Sequence, residues 1–394
     1  MSVRQGTTLT PGVPEPTAPS APPRPRAARV GGHLDQVDAF RLVSFTAVIA
    51  VHSLNVVVVE AGVGGTAAQA LLLTTRKAFF ALLAFVAARS WVRRRTTVRA
   101  FWRRRLPLVV MPLAAWTLVY GWGTVTAQGG VLPGVRRYVG MVLTGDSSYH
   151  MYFLVASIQA YVLLPFLLRW LDRVRAWHGV LLAVALVVQV VQHVVIEYVP
   201  VTDGLLGWYR ANCGELAITY QFWVLLGLVA GLHLERLQPV VDRWAGALVA
   251  LGVGAGVLAV LFVRTMVAAG YLPAKVASTF SPFLVPWYVA AIVGLYALAS
   301  AYAGWVDRTG RRLRIVGVGA QASFGVYLMH PLLLPFVGPR VDALLPGLPP
   351  AVWVLLVTGL LAGLSTAAVT LLRRTPLSVV LTGRPWLRRQ PDGT

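Results

Sequence analysis

The stretch FRLVSFTAVIAVHS, residues Phe40 to Ser53, is apolar enough to cross a bilayer, yet it contains Arg41 and His52. Ionisable side chains at membrane depth are costly, so they mark candidate functional sites. At 100° per residue, Arg41 and His52 share one face of a helix and lie roughly 16 Å apart along its axis. Asp38 precedes Arg41 by three residues, lies on nearly the same face and can form an ion pair with it.

The composition of the chain excludes a soluble globular protein. Hydrophobic residues make up 57% of the 394 residues and charged residues only 12%, and the mean hydropathy is +0.68. These values predict an all-α, polytopic membrane protein. Residues 1–32 are rich in proline and small residues and are expected to form a disordered cytoplasmic tail. The first apolar run begins too far along the chain for a cleavable signal peptide, so it is interpreted as an uncleaved first span.

About ten transmembrane helices follow from the apolar runs that reach the roughly 20 residues needed to span a bilayer. The distribution of Lys and Arg then predicts orientation. With the N-terminus inside, 26 of the 35 basic residues fall in the tails and even-numbered loops, and five fall in the opposite loops. This asymmetry places both termini in the cytoplasm. The predicted spans are 39–59, 67–89, 106–126, 149–168, 179–196, 215–232, 244–264, 281–301, 315–337 and 351–372.

The net charge of +21 and the single cysteine exclude several other classes. No nucleic-acid motif accompanies the charge, and the arginines lie between apolar spans, where they set topology and meet anionic lipid headgroups. Cys213 alone forms no internal disulfide and no multi-cysteine metal site. No two histidines have the helical ligand spacing of three or four, so no metal site is predicted.

Further polar residues reach the same outer half of the membrane as His52. His150 begins the predicted fourth span, and His330 lies in SFGVYLMHPLLL of the ninth. Each is either an interfacial anchor or a site residue. Arg76, Lys77, Glu215 and Arg264 lie at a similar depth, which makes a polar outer chamber plausible. Gly227 with Gly231, and Gly359 with Gly363, are spaced to let helices approach closely.

Alternative roles stay open for the residues of the first span and for the basic loop that precedes the third. Arg41 is either a snorkelling topology anchor paired with Asp38 or a site residue. His52 is either bonded to a neighbouring helix or a group that accepts and returns a proton near neutral pH. Arg103, Arg104 and Arg105 either set topology or bind a phosphorylated cofactor through their forked guanidinium groups.

Three segments together resemble the membrane acyltransferase-3 family. DAFR followed by His52 is similar to the D-x-x-R and downstream histidine that open the family. YHMYFLVASIQAYVLLPFLLRWL is similar to its fourth-span segment, and SFGVYLMHPLLL to its S-F-G-x-Y-x-x-H-P segment. The order, spacing and ten-span layout agree over about residues 33–374. Residues 33–374 are therefore predicted to be the acyltransferase domain and 375–394 a polar cytoplasmic C-terminal tail.

The resemblance implies an enzyme of the cell membrane that takes an acyl group from cytoplasmic acyl-CoA, most simply acetyl-CoA. The acyl group, acetyl or another short one, would pass to a hydroxyl of a carbohydrate, glycan or related acceptor. Carried over from the family, the essential residues are His52 and Arg41. Arg103 to Arg105, directly before span three, resemble the basic segment that the family has at this place. The family's R-x-x-R spacing is absent here, so the choice among the three arginines is open. FFALLAF also lacks the family's Ser-Gly pair, having Leu83 and Ala84 instead.

The residues and the resemblance converge on one mechanism. The arginines would hold the CoA phosphates, and a pantetheine arm would bring the thioester to His52. His52 is then the general base, or it forms an acyl-histidine intermediate. His150, Tyr327 and His330 are candidates on the acceptor side. The rival class is a transporter or flippase for a lipid-linked glycan, with His52 coupling protons, and a binding-only or structural membrane protein is third.

Overall fold

The computed structural model describes residues 34–94 and 96–386. These residues form sixteen α-helices, joined by loops and four short 3₁₀ turns, with no strand in the part described. The predicted N-terminal tail lies outside the described residues. The helices are α1 (Asp35–Val57), α2 (Gly62–Leu72), α3 (Thr74–Arg94), α4 (Val98–Arg105), α5 (Pro107–Thr126), α6 (Val131–Thr144), α7 (Tyr152–Arg173), α8 (His178–Tyr198), α9 (Gly204–Asn212), α10 (Gln221–Leu232), α11 (Leu234–Ala268), α12 (Pro273–Val276), α13 (Val285–Thr309), α14 (Arg314–Leu344), α15 (Pro350–Leu372) and α16 (Ser378–Thr382).

The prediction of an all-α polytopic membrane protein is confirmed. Within the described ranges, nine helical segments are long and apolar enough to cross a membrane. A tenth is reached if Gly204–Glu215 and Ala217–Leu232, which bend by 68° at their junction, form one span. The sequence predicted the sixth span as one segment, 215–232. That prediction included neither the bend nor helix α9. The fourth span also begins later than predicted, at Tyr152, so His150 lies in the turn before α7.

Helix α1 lies near the middle of the bundle, in contact with α2, α3, α13, α14 and α15. The helices enclose two hydrophobic clusters. One is built around α3, α7, α10 and α13, and the other around α1, α5, α14 and α15. Phe153 and Tyr161 of α7 pack against both clusters. The polar side chains of the first span therefore lie near the seam between two apolar cores.

The glycine pairs predicted to mediate packing differ in their surroundings. A Cβ added at Gly227 would collide with the carbonyl oxygen of Ala81, and one at Gly231 would lie 2.8 Å from the carbonyl oxygen of Phe85. Their role in packing α10 closely against α3 is confirmed. Gly359 and Gly363 of α15 have open space where a Cβ would project. The packing role predicted for that pair is wrong.

Candidate active site

A cavity of about 480 Å³ lies between α1, α3, the start of α7 and α14. We call it the histidine cavity. Its polar lining includes His52, Arg76, Tyr149, His150 and Tyr327. The structure therefore brings three of the predicted site residues to one chamber from three distant parts of the chain. A volume of this size lies within the range of small-molecule sites, about 300–1,000 Å³.

His52 forms a hydrogen bond with a second imidazole, that of His330. His52 Nδ1 lies 2.7 Å from His330 Nε2, and the two ring planes are nearly parallel, at 9°. His330 Nδ1 in turn lies 3.0 Å from the carbonyl oxygen of Val326, one turn back along α14. His330 is fully buried, whereas His52 lines the cavity. His330 therefore does not line the cavity, and it can influence a ligand there only through its hydrogen bond with His52.

The carbonyl of Val326 fixes the direction of this hydrogen-bond chain. A carbonyl oxygen only accepts, so His330 Nδ1–H must be the donor to it. In a neutral imidazole the other nitrogen is then an acceptor, so His330 Nε2 accepts from His52 Nδ1–H. The proton of neutral His52 thus resides on Nδ1. Its Nε2 carries the lone pair, on the edge of the ring turned away from His330.

His150 and Tyr327 form a second polar contact beside the cavity. The Tyr327 hydroxyl donates to the His150 carbonyl oxygen at 2.5 Å, and the His150 ring packs edge-on against Tyr120 and Tyr327. His150 Nδ1 lies 3.2 Å from the Ser148 hydroxyl. Within the described residues, His150 Nε2 is buried without a hydrogen-bond partner. That nitrogen is available to a ligand of the cavity that it helps to line.

A second cavity, of about 270 Å³, contains arginines from three separate segments. We call it the arginine cavity. Arg41 comes from α1, Arg105 from the end of α4, and Arg384 from the segment after α16. Arg41 Nη1 lies 3.8 Å from Asp38 Oδ1, which is the ion pair expected from their spacing. Three guanidinium groups around one cavity have the charge and geometry to bind an anion.

No sequence pattern indicates a role for Arg384, because it lies beyond the last apolar span, in the predicted C-terminal tail. The structure packs this segment against α5 and α14. The Trp116 indole donates to the carbonyl oxygen of Leu381, and the Ser378 hydroxyl donates to that of Arg384. Burial, and then the charges of Arg41 and Arg373, lower the pKa of Arg384 to about 10. The group stays charged at neutral pH, and a bound anion would relieve this repulsion.

Of the three adjacent arginines, the structure brings only Arg105 to the arginine cavity. Arg103 and Arg104 are exposed and line neither of the two cavities. Helix α4 ends at Arg105, and after Leu106 the next helix, α5, begins at Pro107. A helix turns by 100° per residue, so three consecutive side chains point in three directions.

Three aromatic residues line both cavities: Phe79 of α3, Phe153 of α7 and Tyr327 of α14. We call them the aromatic partition. Their ring centroids are 5.7–6.3 Å apart, from Phe153–Tyr327 to Phe79–Tyr327. Rings at these separations are in contact. The partition is therefore the shared wall between the arginine cavity and the histidine cavity.

The predicted outer chamber is smaller than the sequence suggested. Of Arg76, Lys77, Glu215 and Arg264, only Arg76 lines the histidine cavity. Lys77 Nζ donates instead to the carbonyl and hydroxyl oxygens of Thr279, at 2.5 and 2.6 Å, and Arg264 is exposed on α11. In the described ranges, no three His, Cys, Asp or Glu side chains are grouped to hold a metal ion.

The fold and these cavities define a polytopic membrane protein with two polar cavities between its helices. The sequence model of the family described as "Acyltransferase domain" matches residues 34–371. The chain belongs to this family, acyltransferase-3, and is a multi-pass membrane enzyme that transfers acyl groups. Comparisons with curated protein sequences and with solved structures gave no significant match.

Proposed function

We propose that this enzyme, in the cell membrane, transfers an acyl group from cytoplasmic acyl-CoA to a hydroxyl of a carbohydrate or glycan. The donor is most simply acetyl-CoA. One observation carries the proposal: the aromatic partition separates a cavity with three arginines from a cavity with an oriented histidine. Binding a phosphorylated donor and removing the proton of an acceptor hydroxyl need two such different surroundings.

The arginine cavity supports donor binding. Arg41, Arg105 and Arg384 offer forked N–H donors, which match phosphate oxygens in charge and geometry. The excess of basic residues on the predicted cytoplasmic side supports an arginine cavity that is open to cytoplasmic acyl-CoA. The volume of about 270 Å³ is small for a whole CoA molecule. The proposal therefore places only part of the donor there, with the acyl-pantetheine arm directed across the partition.

The histidine cavity supports the transfer step. His52 Nε2 would accept the proton of the acceptor hydroxyl as its oxygen attacks the thioester carbonyl carbon. A new C–O bond forms and the C–S bond breaks as the tetrahedral intermediate collapses. The protonated His52 then returns the proton to the CoA sulfur. His330 accepts a hydrogen bond from His52 Nδ1–H throughout, which keeps Nε2 as the reacting nitrogen.

Acceptor-dependent release of CoA tests this proposal. Purified protein is incubated with labelled acetyl-CoA and a panel of methyl glycosides, and free thiol is measured. The only native cysteine, Cys213, is buried and contributes little background. We expect CoA release and labelled ester product only when an acceptor is present. A transporter would release no CoA, and that result would exclude the proposed transfer.

His52→Ala tests the proposed base. Removing a base affects the transition state more than ground-state binding, so transfer should be abolished while labelled acetyl-CoA still binds. His193→Ala is the matched control, because His193 is a buried histidine on α8 that lines neither cavity. Near-normal turnover by His52→Ala would show that another group removes the proton.

A further inference from the structure

Arg76 extends into the histidine cavity from the first turn of α3. Its guanidinium carbon lies 5.0 Å from the ring centroid of Tyr152, and the guanidinium interacts with the Tyr220 side chain. The Tyr220 hydroxyl donates a hydrogen bond to the carbonyl oxygen of Gly214. These contacts fix the position of the arginine without neutralising its charge.

The charge of Arg76 is not balanced by any ion pair within the described residues. The cavity lining contains no carboxylate, and Arg76 is its one permanent charge. Arg89, a buried arginine further along the same helix, is instead paired with Glu235 at 2.6 Å. An arginine at membrane depth is costly unless a partner compensates it. Arg89 has this partner in the fold, whereas Arg76 faces a cavity.

We propose that Arg76 binds an anionic group on the acceptor, so that the preferred acceptor is an acidic carbohydrate that carries a carboxylate or phosphate. This inference rests on the proposed function and specifies its acceptor. The guanidinium fork matches both kinds of oxyanion. The anion would lie at Arg76, while a hydroxyl of the same molecule lies at His52 Nε2. The volume of about 480 Å³ leaves room for a sugar residue between the two.

Matched acceptors separate charge recognition from catalysis. Wild type and Arg76→Gln are assayed with acetyl-CoA and methyl glucuronide, glucose 6-phosphate or methyl glucoside. We expect wild type to prefer one of the two acids. Arg76→Gln should raise the KM for that acid about 10- to 100-fold, the effect of losing a charge-assisted hydrogen bond, and should raise the KM for the neutral glycoside much less. Arg264→Gln, which removes an exposed arginine outside the cavity, should keep the preference.

Ligand-induced stabilisation gives a readout that needs no turnover. Thermal unfolding of wild type and Arg76→Gln is followed with saturating CoA present, so that the arginine cavity is already occupied. At least one acid should raise the Tm of wild type more than methyl glucoside does, and Arg76→Gln should lose this difference. Equal stabilisation of wild type by all three compounds, or an unchanged preference in Arg76→Gln, would overturn the role of Arg76. Failure of the proposed transfer would appear separately, as the absence of acceptor-dependent CoA release.

Discussion

At the scale of single residues, the position of the proton on His52, the proposed base, depends on a backbone oxygen that it does not touch. The Val326 carbonyl makes His330 Nδ1 a donor, and His330 Nε2 then makes His52 Nδ1 a donor. If His330 could not accept this hydrogen bond, the proton of neutral His52 could move to Nε2. The nitrogen that faces the cavity would then have no lone pair to accept a proton. In the proposed mechanism His330 is therefore a positioning residue that acts through His52.

Substitution of His330 tests this role. His330→Leu should lower kcat about 10- to 100-fold with little change in the KM for acyl-CoA, because only the orientation of the base is lost. His330→Gln should recover most of the kcat, since its amide oxygen can accept the hydrogen bond from His52 Nδ1. Both effects should be milder than that of His52→Ala. Equal losses in the leucine and glutamine variants would point to a packing role instead.

The three adjacent arginines that the sequence predicts to bind phosphate, Arg103 to Arg105, differ in their surroundings. Arg105 lines the arginine cavity, whereas Arg103 is exposed and does not. Arg105→Gln should therefore raise the KM for acyl-CoA, by about 10-fold or more, and Arg103→Gln should not. Arg41→Lys should raise this KM too, because an ammonium lacks the fork of the guanidinium. Acyl-CoA titrations measure all three, and equal effects of Arg103→Gln and Arg105→Gln would place the phosphates elsewhere.

At the scale of elements, the short helix α16 positions Arg384 through a glycine. Gly383 ends α16 in the left-handed region at φ +62°, and a Cβ there would lie 2.5 Å from the Leu108 carbonyl oxygen and 2.6 Å from the Phe324 ring. Only glycine satisfies both the backbone angle and the close approach. The residue that follows it is therefore held at the rim of the arginine cavity.

Gly383→Ala should displace this segment and raise the KM for acyl-CoA. Gly310→Ala is a matched control, because Gly310 also ends a helix, at φ +68°, but has open space where a Cβ would project. Gly310→Ala adds only the strain of a left-handed backbone at a residue with a Cβ, about 1–2 kcal/mol, and should leave the KM unchanged. Acyl-CoA titration and thermal unfolding of both variants make the comparison. A normal KM in Gly383→Ala would show that donor binding does not need this segment.

Helix packing shows what spacing alone can predict. Two glycines four apart lie on one helix face, and this much followed from the sequence for both Gly227 with Gly231 and Gly359 with Gly363. Whether another helix covers that face depends on tertiary arrangement. Only the first pair meets a neighbour, the backbone of α3. The bend of 68° before α10 was not predicted for a related reason: its two segments are long and apolar enough for a span when taken together, and apolar length does not indicate a bend.

At the scale of the whole molecule, the sequence predicted the class of fold. Apolar length and basic loops are local properties, so the spans and the shared face of Arg41 and His52 could be derived. The contact between His52 and His330 joins positions 278 apart, and no local pattern encodes it. Arg384 reaches its cavity only because α16 folds back onto the bundle. These long-range contacts had to come from the structure.

The opposed cavities also require one orientation of the whole molecule. If acyl-CoA enters from the cytoplasm, the arginine cavity must face inward and the loop around Asp203 must face outward. Asp203→Cys should react with a membrane-impermeant maleimide on intact cells. Arg311→Cys, exposed in the loop between α13 and α14, should react only after permeabilisation. Cys213 is buried, so the unmodified chain is the background control. The reverse labelling pattern would turn the three arginines away from the cytoplasmic pool of acyl-CoA, and the proposed donor could not then reach them.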